Sequence, residues 1–264
     1  MIKALVLCDS QAPSGTRLIT LRVTMPRFVL AEFNTHRVFS RNAGSSRAIS
    51  VKRRLEAIVS NPVLPVEWGL EQKGMSASEE IGQEDQTLAD QLWRSAAQSA
   101  AFHASELAKL GVHKQVVNRL LEPFSWVDVV VTSTQWDNFF RLRLGFDAQP
   151  EMRAVALAME KAIVESLPNR VGWGYWHIPG ITDEDRGEIT EFEDLLYVAA
   201  GRLARISYER PERKEWKSDL VLAKRLVKSG HWSPFEHIAI CREGRADRCR
   251  NFFKDWDQWR AMLD

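Results

Sequence analysis

Apolar and polar positions alternate along the first part of the chain. From residue 18 to residue 25 the polar Thr20, Arg22 and Thr24 alternate with Ile19, Leu21 and Val23. A period of two places one set of side chains on each face of a β-strand. The pattern predicts strand over residues 1–25, interrupted by a turn at Pro13–Gly15, and a second strand in the β-branched run 127–134.

A helical period replaces the alternation after Pro26, which is tolerated at a first helical position. Apolar spacing predicts helices that begin at 26 and over 50–60, 86–111, 113–123, 135–146, 149–168, 191–206 and 215–229. The helix over 86–111 is the clearest, and its apolar face is predicted to carry Leu88, Leu92, Ala96, Ala100, Ala104 and Leu107. Residues 61–85, rich in Pro and Gly, are predicted to form a loop or excursion. We therefore expect one α+β domain over residues 1–264.

Net charge, cysteine content and the length of apolar runs limit the cellular compartments and the classes of partner that we expect for this protein. The net charge is +1, so no global field favours nucleic acid or an anionic membrane. Three cysteines (Cys8, Cys241 and Cys249) without a CxxC pair argue against a disulfide framework and a zinc site. The N-terminal apolar run is too short for a signal peptide, and no run approaches a membrane span. We expect a cytosolic protein without nucleic-acid or membrane partners.

Donor side chains are concentrated in residues 34–50, NTHRVFSRNAGSSRAIS. Guanidinium groups present forked donors that suit phosphates and planar carbonyl rings. Small residues let the backbone approach a ligand closely. On chemistry alone, an anion site and a solvated basic loop remain equally supported.

Two further stretches carry candidate chemistry. Residues 135–153 place Asn138, Arg141 and Arg143 on the polar side of a helix, which a plain amphipathic helix would also explain. The segment GHWSPFEHIAI, residues 230–240, contains His231, Glu236 and His237, but its spacing fits no zinc signature. Capping and hydrogen bonding are favoured there, and we expect no metal.

These stretches together resemble the flavin-dependent thymidylate synthase (ThyX) family. Its signature is Arg-His-Arg, seven residues, then Ser and often a further Arg, and the chain has Thr35-His36-Arg37, then Ser45 and Arg47. The segments TQWDNFFRLR and DAQPEMR are similar to its second half, and GHWSPFEH is similar to its Gly-His-x-Ser/Thr-Pro-Phe-Glu-His element.

The order of the motifs is unusual, because the family places the Pro-Phe-Glu-His element before the Arg-rich signature. Here that element comes near the C-terminus, and residues 191–240 resemble the family's N-terminal part. The chain is therefore interpreted as a circularly permuted relative, a rearrangement that close surface termini permit.

The resemblance implies an antiparallel sheet flanked by helices, and a homotetramer that binds FAD. It further implies C5 methylation of dUMP to dTMP, with methylenetetrahydrofolate as methylene donor and NADPH as the reductant of the flavin. Flavin contacts fall on His36, Arg37, Asn42, Asn138, His231, Ser233 and Glu236. Nucleotide contacts fall on Glu32, Ser45, Ser46, Arg47, Arg119 and Arg143, of which Ser45, Arg47 and Arg143 carry the expected catalytic roles.

Several positions depart from the family pattern. Thr35 replaces Arg, Ala43 a common Glu and Thr132 a common Asn, while the phosphate-binding Arg falls on Asn118 with Arg119 beside it. Glu32 stands where Gln is usual, and a carboxylate there would repel a phosphate or could accept from the amine of cytosine. Action on dCMP, hydroxymethyl transfer, and a homologue that binds without catalysis remain alternatives.

Overall fold

The computed structural model describes residues 1–207, 215–244 and 254–263. Its larger sheet has five strands in the order β3-β4-β2-β1-β5. The strands are β1 (Lys3–Gln11), β2 (Arg17–Pro26), β3 (Ser40–Ala43), β4 (Trp126–Ser133) and β5 (Asn169–Arg170). All pairs are antiparallel except the two-residue pairing of β5 with β1. The predicted antiparallel sheet is confirmed.

A second, three-stranded antiparallel sheet has the order β6-β7-β8. It consists of β6 (Trp176–His177), β7 (Ala239–Cys241) and β8 (Trp256–Gln258). The pattern of apolar residues did not predict it, because strands of two or three residues are too short to show a period. Its first strand lies within residues 171–181, a short segment rich in aromatic side chains in which the sequence shows no strand period.

Nine α-helices are present in the described part of the chain. They are α1 (Leu30–Phe33), α2 (Val51–Ser60), α3 (Gln83–Lys109), α4 (Lys114–Val117), α5 (Asp137–Arg143), α6 (Pro150–Glu165), α7 (Asp183–Glu188), α8 (Phe192–Ile206) and α9 (Trp216–Lys228). Four 3-10 helices are Arg27–Val29, Asn118–Phe124, Ser233–His237 and Trp259–Met262. The predicted helices are present, although Pro123 lies inside a 3-10 turn that continues α4 rather than ending it. None of these helices has the length and apolar character needed to cross a membrane.

The core divides at the larger sheet. One face, which includes Leu21, Val23 and Val129, packs against Met152 and Val155 of α6. The opposite face presents Val130 to a second cluster built from α8, α9 and the two C-terminal 3-10 helices. Because α8 and α9 cover that face, the 3-10 helix Ser233–His237 packs against β3, which is part of the Arg-rich signature.

Local structure departs from the predicted pattern in two places. The signature contains a strand that the pattern did not predict, since Ser40–Ala43 forms β3 and pairs with β4 from Ser40 opposite Thr132 to Ala43 opposite Val129. On α3 the predicted apolar face is wrong at its N-terminal end, where Leu88 and Leu92 are 54% and 61% exposed. Towards the C-terminal end it is confirmed, because Ala104 is buried and Ala100 and Leu107 pack against the same cluster as the buried Ala97 and Ala101.

Candidate active site

The two motifs that are far apart in the sequence meet at Asn42 in β3. Its side-chain oxygen accepts hydrogen bonds from the hydroxyls of Ser207 at 3.0 Å and Ser233 at 3.3 Å. Its amide nitrogen donates to the carbonyl of Leu203 at 2.9 Å. Asn42 is buried and therefore joins the signature to α8 and to the 3-10 helix Ser233–His237.

An open cleft of about 410 Å³ lies at this junction. Ser45 and Arg47 from the signature face it, together with His113 and Gln115 from the start of α4 and His231 and Ser233 from the C-terminal motif. Small-molecule sites have volumes of about 300–1,000 Å³, so the cleft has the size of a nucleotide site. The structure thus brings together side chains from three separate stretches, two of which the motifs identified.

A second group of polar side chains surrounds Arg143 at the C-terminal end of α5. Its Nε donates to Nε2 of His36 at 2.9 Å, and its Nη1 forms an ion pair with Glu32. His36 is buried against the ring of Phe139, with centroids 4.8 Å apart. Burial first, then the positive charges of Arg143 and Arg41, lower the pKa of His36 to about 4. The ring is therefore neutral at pH 7 and accepts through Nε2.

Glu236 is engaged by a residue that the motifs did not identify. Arg260, in the C-terminal 3-10 helix, forms an ion pair with Glu236 and lies over the ring of Trp232 at 5.7 Å from the centroid. Gln258 donates to the hydroxyl of Ser40 at 2.8 Å and to the carbonyl of Glu236 at 3.0 Å. Strand β8 and the 3-10 helix that follows it thus tie the two motifs together. The only signal in the sequence was their aromatic and basic character.

Glu122 organises the far side of the signature. It accepts from Ser46 at 2.6 Å, from Arg27 at 3.0 Å and from Arg119 at 2.8 Å. Although burial opposes ionisation, the hydroxyl of Ser46 and the two guanidinium groups hold the pKa of Glu122 below its usual value. Arg119, predicted to meet substrate, is therefore directed to a carboxylate of its own chain.

Three predicted flavin contacts are accessible to solvent. Arg37 is exposed, and within residues 1–207, 215–244 and 254–263 its side chain has neither a hydrogen bond nor an ion pair. Asn138 is also exposed and accepts from Arg141 at 2.8 Å. His231 is exposed as well, with Nδ1 at 3.0 Å from the hydroxyl of Ser229. These groups remain available to a ligand.

A buried hydrogen-bonded chain crosses from the larger sheet to the smaller one. His237 Nδ1 contacts Thr132 at 2.8 Å, Thr132 contacts Thr20 at 2.7 Å, and Thr20 contacts His177 Nε2 at 2.8 Å. His177 Nδ1 continues the chain to Ser10 at 2.9 Å. Thr132, which replaces a common flavin-contacting Asn, is thus fully enclosed and occupied by neighbours within the chain.

Cys8 and Cys241 do not line this cleft, and the described residues offer no metal site beside it. Burial raises the pKa of Cys241 to about 11 and also raises that of Cys8, so neither thiol is activated. Cys249 lies outside the described residues. No group of three His, Cys, Asp or Glu side chains arranged for a metal ion occurs in the described ranges.

Comparison with solved structures identifies the class of fold. The UMP/dUMP methylase PolB from Streptomyces cacaoi, bound with 5-Br dUMP, superposes with a TM-score of 0.50 at 13% identity over 62% of this chain and 90% of that one. A second structure of PolB, bound with 5-Br UMP, has a TM-score of 0.48 at 14% identity, with 62% and 89% of the chains covered. The fold is therefore a ThyX-like α+β fold.

The family follows from the sequence itself. Residues 9–169, more than half of the chain, match the model of the Thy1 family, described as thymidylate synthase complementing protein. The chain belongs to this family, which is one of flavin-dependent pyrimidine methylation, and is a thymidylate synthase-like enzyme. No curated protein matches it significantly. The match ends before α8, α9 and Ser233–His237.

Proposed function

We propose that the protein methylates C5 of a deoxypyrimidine monophosphate, converting dUMP to dTMP with methylenetetrahydrofolate, FAD and NADPH. The observation that carries the proposal is the convergence at Asn42. Ser45 and Arg47 on one side and His231 and Ser233 on the other face a single cleft, although the two motifs lie at opposite ends of the chain.

The exposed donors fit a flavin nucleotide. Its phosphates require cationic or N–H donors, and its ring requires hydrogen-bonding groups beside apolar surface. Arg37 and His231 would contribute the first kind, and Asn138 and Ser233 the second. The buried Asn42 would support Ser233 through their hydrogen bond. His36 and Glu236, which are engaged by Arg143 and Arg260, would add further polar groups. When bound, reduced FAD supplies the hydride that completes the methyl group.

Ser45 and Arg47, which line the cleft, would bind the nucleotide, with Arg143 beside the pyrimidine, whereas Ser46 is buried and its hydroxyl donates to Glu122. A guanidinium placed against a ring carbonyl stabilises the negative charge that develops there, which makes C5 more nucleophilic. Because His36 is neutral, it accepts from Arg143 without neutralising it. The orientation of Arg143 is therefore fixed while its charge is only partly offset by Glu32.

Absorbance and turnover test the proposal. The purified protein should show flavin absorbance, or acquire it with added FAD, and should form dTMP from dUMP, methylenetetrahydrofolate and NADPH. Arg47→Ala should abolish nucleotide binding without changing the circular dichroism spectrum. A protein that binds no FAD, or that turns over no pyrimidine nucleotide, would refute the assignment and favour a homologue that has lost catalysis.

Glu32 favours a second candidate substrate, dCMP. Its carboxylate forms an ion pair with the guanidinium of Arg143, the group proposed to face the pyrimidine. A carboxylate can accept from the exocyclic amine of cytosine, which uracil lacks. Parallel assays with dUMP and dCMP, with product mass distinguishing methyl from hydroxymethyl, decide between them. Turnover of dCMP alone would replace the thymidylate assignment.

The proposed assembly is a homotetramer. Leu88 and Leu92 expose more than half of their surface on the outer stripe of α3, and Phe102 of the same helix is 61% exposed. Contiguous exposed apolar surface marks a site of protein association. Sedimentation equilibrium should give the mass of four chains, and Leu92→Glu should reduce it. A monomeric wild-type protein would contradict the proposal.

A further inference from the structure

We propose that His113 is a phosphate-binding residue, which acts with Arg47 on the phosphate of the nucleotide substrate. The inference rests on the proposed function, because it names the ligand that enters the cleft. The observations that carry it concern the cleft's lining, the tautomer of His113, and the contacts that fix the distance between the two side chains.

Three other basic side chains near the signature are occupied. Arg27 and Arg119 both pair with Glu122, and Lys114 donates to the carbonyl of Ala48 at 3.3 Å. Arg47, by contrast, is exposed at the cleft and makes no ion pair within the described ranges. A phosphomonoester carries nearly two negative charges at neutral pH, so one guanidinium leaves part of that charge unmet.

His113 is positioned to supply the second donor. It precedes α4, and its Nδ1 accepts the backbone N–H of Gln115 at 3.3 Å. A neutral imidazole that accepts at Nδ1 carries its proton on Nε2, so the free ring nitrogen is a donor. The ring lines the cleft that Arg47 also lines.

Asn118 fixes the two donors relative to each other. Its amide nitrogen donates to the carbonyl of Ser46 at 2.7 Å and to that of Ile49 at 3.1 Å, and the residue is fully buried. These carbonyls flank Arg47 in sequence, while Asn118 directly follows the helix that His113 caps. Because this contact is enclosed, the signature and the start of α4 move as one unit. A preformed pair of donors binds an anion without the entropy of ordering two flexible segments.

The test uses variants that keep the helix cap. Serine and aspartate are good N-caps, so His113→Ser and His113→Asp preserve the local turn while removing the imidazole. Calorimetry with dUMP should show about a tenfold to hundredfold loss of affinity for His113→Ser, the range for a hydrogen bond to a charged group. His113→Asp should lose more, because its carboxylate repels the phosphate. Deoxyuridine, measured by competition, should bind all variants alike.

Matched controls are His103→Ser and His103→Asp, which alter an exposed histidine of α3 that does not line the cleft. These should bind dUMP as the wild type does. Equal affinity of wild type and both His113 variants for dUMP would overturn the assignment, as would an equal loss for dUMP and deoxyuridine. A wild-type protein that binds no dUMP would instead refute the proposed function itself.

Discussion

Acidification should destabilise this protein above the pH at which most carboxylates titrate. The cause is the buried pair His177 and His237, which occupy the hydrogen-bonded chain through Thr20 and Thr132. Neither side chain is exposed, and burial above all lowers the pKa of each ring to about 3. Both rings are neutral in the folded protein at pH 5, whereas in the unfolded chain both would be largely protonated.

The sign and size of the effect follow from proton linkage. A histidine whose pKa is lowered on folding does not change the free energy of unfolding above the pKa of histidine in the unfolded chain, which is about 6.5. As the pH falls from there toward 3, the unfolded chain binds the proton first, and the free energy of unfolding decreases by about 1.4 kcal/mol per pH unit and group. At pH 5 each ring accounts for about 2 kcal/mol, and the pair for about 4 kcal/mol. Domains typically have only about 5–15 kcal/mol of stability.

Urea unfolding at several pH values measures this loss. Tryptophan fluorescence should report it between pH 7 and pH 4.5 at one protein concentration, since association would otherwise change the apparent stability. His237→Gln should be less stable at pH 7 but should show a shallower slope, by about one proton. His103→Gln, which changes an exposed histidine, should leave the slope unaltered. A slope in His237→Gln equal to that of the wild type would refute the reasoning.

Two other substitutions have defined outcomes. Gly201→Ala would place its Cβ 2.3 Å from the backbone oxygen of Asp219, so we expect the free energy of unfolding, measured by thermal unfolding, to fall by about 1–3 kcal/mol. The control Gly187→Ala, which has open space around it, should lose far less stability, and equal losses would show that α8 can move away from α9. Arg260→Gln should weaken FAD binding in a fluorescence titration, because it removes the ion-pair partner of Glu236. The control Arg94→Gln, which breaks an exposed ion pair with Asp90, should leave FAD affinity unchanged. Identical FAD affinities of the two variants would show that the tail does not support the cofactor site.

The periodic segments of the sequence predicted most of the fold. The alternation before Pro26 and the β-branched run at 127–134 became the paired strands β2 and β4, because a buried sheet requires that pattern on its inner face. The face of α3 was predicted wrongly at its N-terminal end for a physical reason. Leu88 and Leu92 form the more hydrophobic stripe, but burial within one chain depends on which side meets α2, and that side carries Ala97 and Ala101.

For the site, motif resemblance predicted which residues lie together but not what they bind within the chain. Asn42 and Ser233 meet although they lie far apart in the sequence, because their adjacency depends on the packing of β3 against the 3-10 helix Ser233–His237. Partners such as Arg260 for Glu236 come from a tail without any motif. No local pattern can predict an ion pair between distant segments.

The pairing of Glu32 with Arg143 bears directly on the proposed function. In the family pattern an amide occupies position 32, and an amide would leave the guanidinium of Arg143 without a counter-charge. If Arg143 faces the pyrimidine as proposed, the carboxylate of Glu32 would offset part of its charge and weaken stabilisation of a developing enolate-like oxygen. The same carboxylate can accept from an exocyclic amine. Glu32→Gln should therefore shift the ratio of dUMP to dCMP turnover toward dUMP, and an unchanged ratio would show that this ion pair does not set the choice of base.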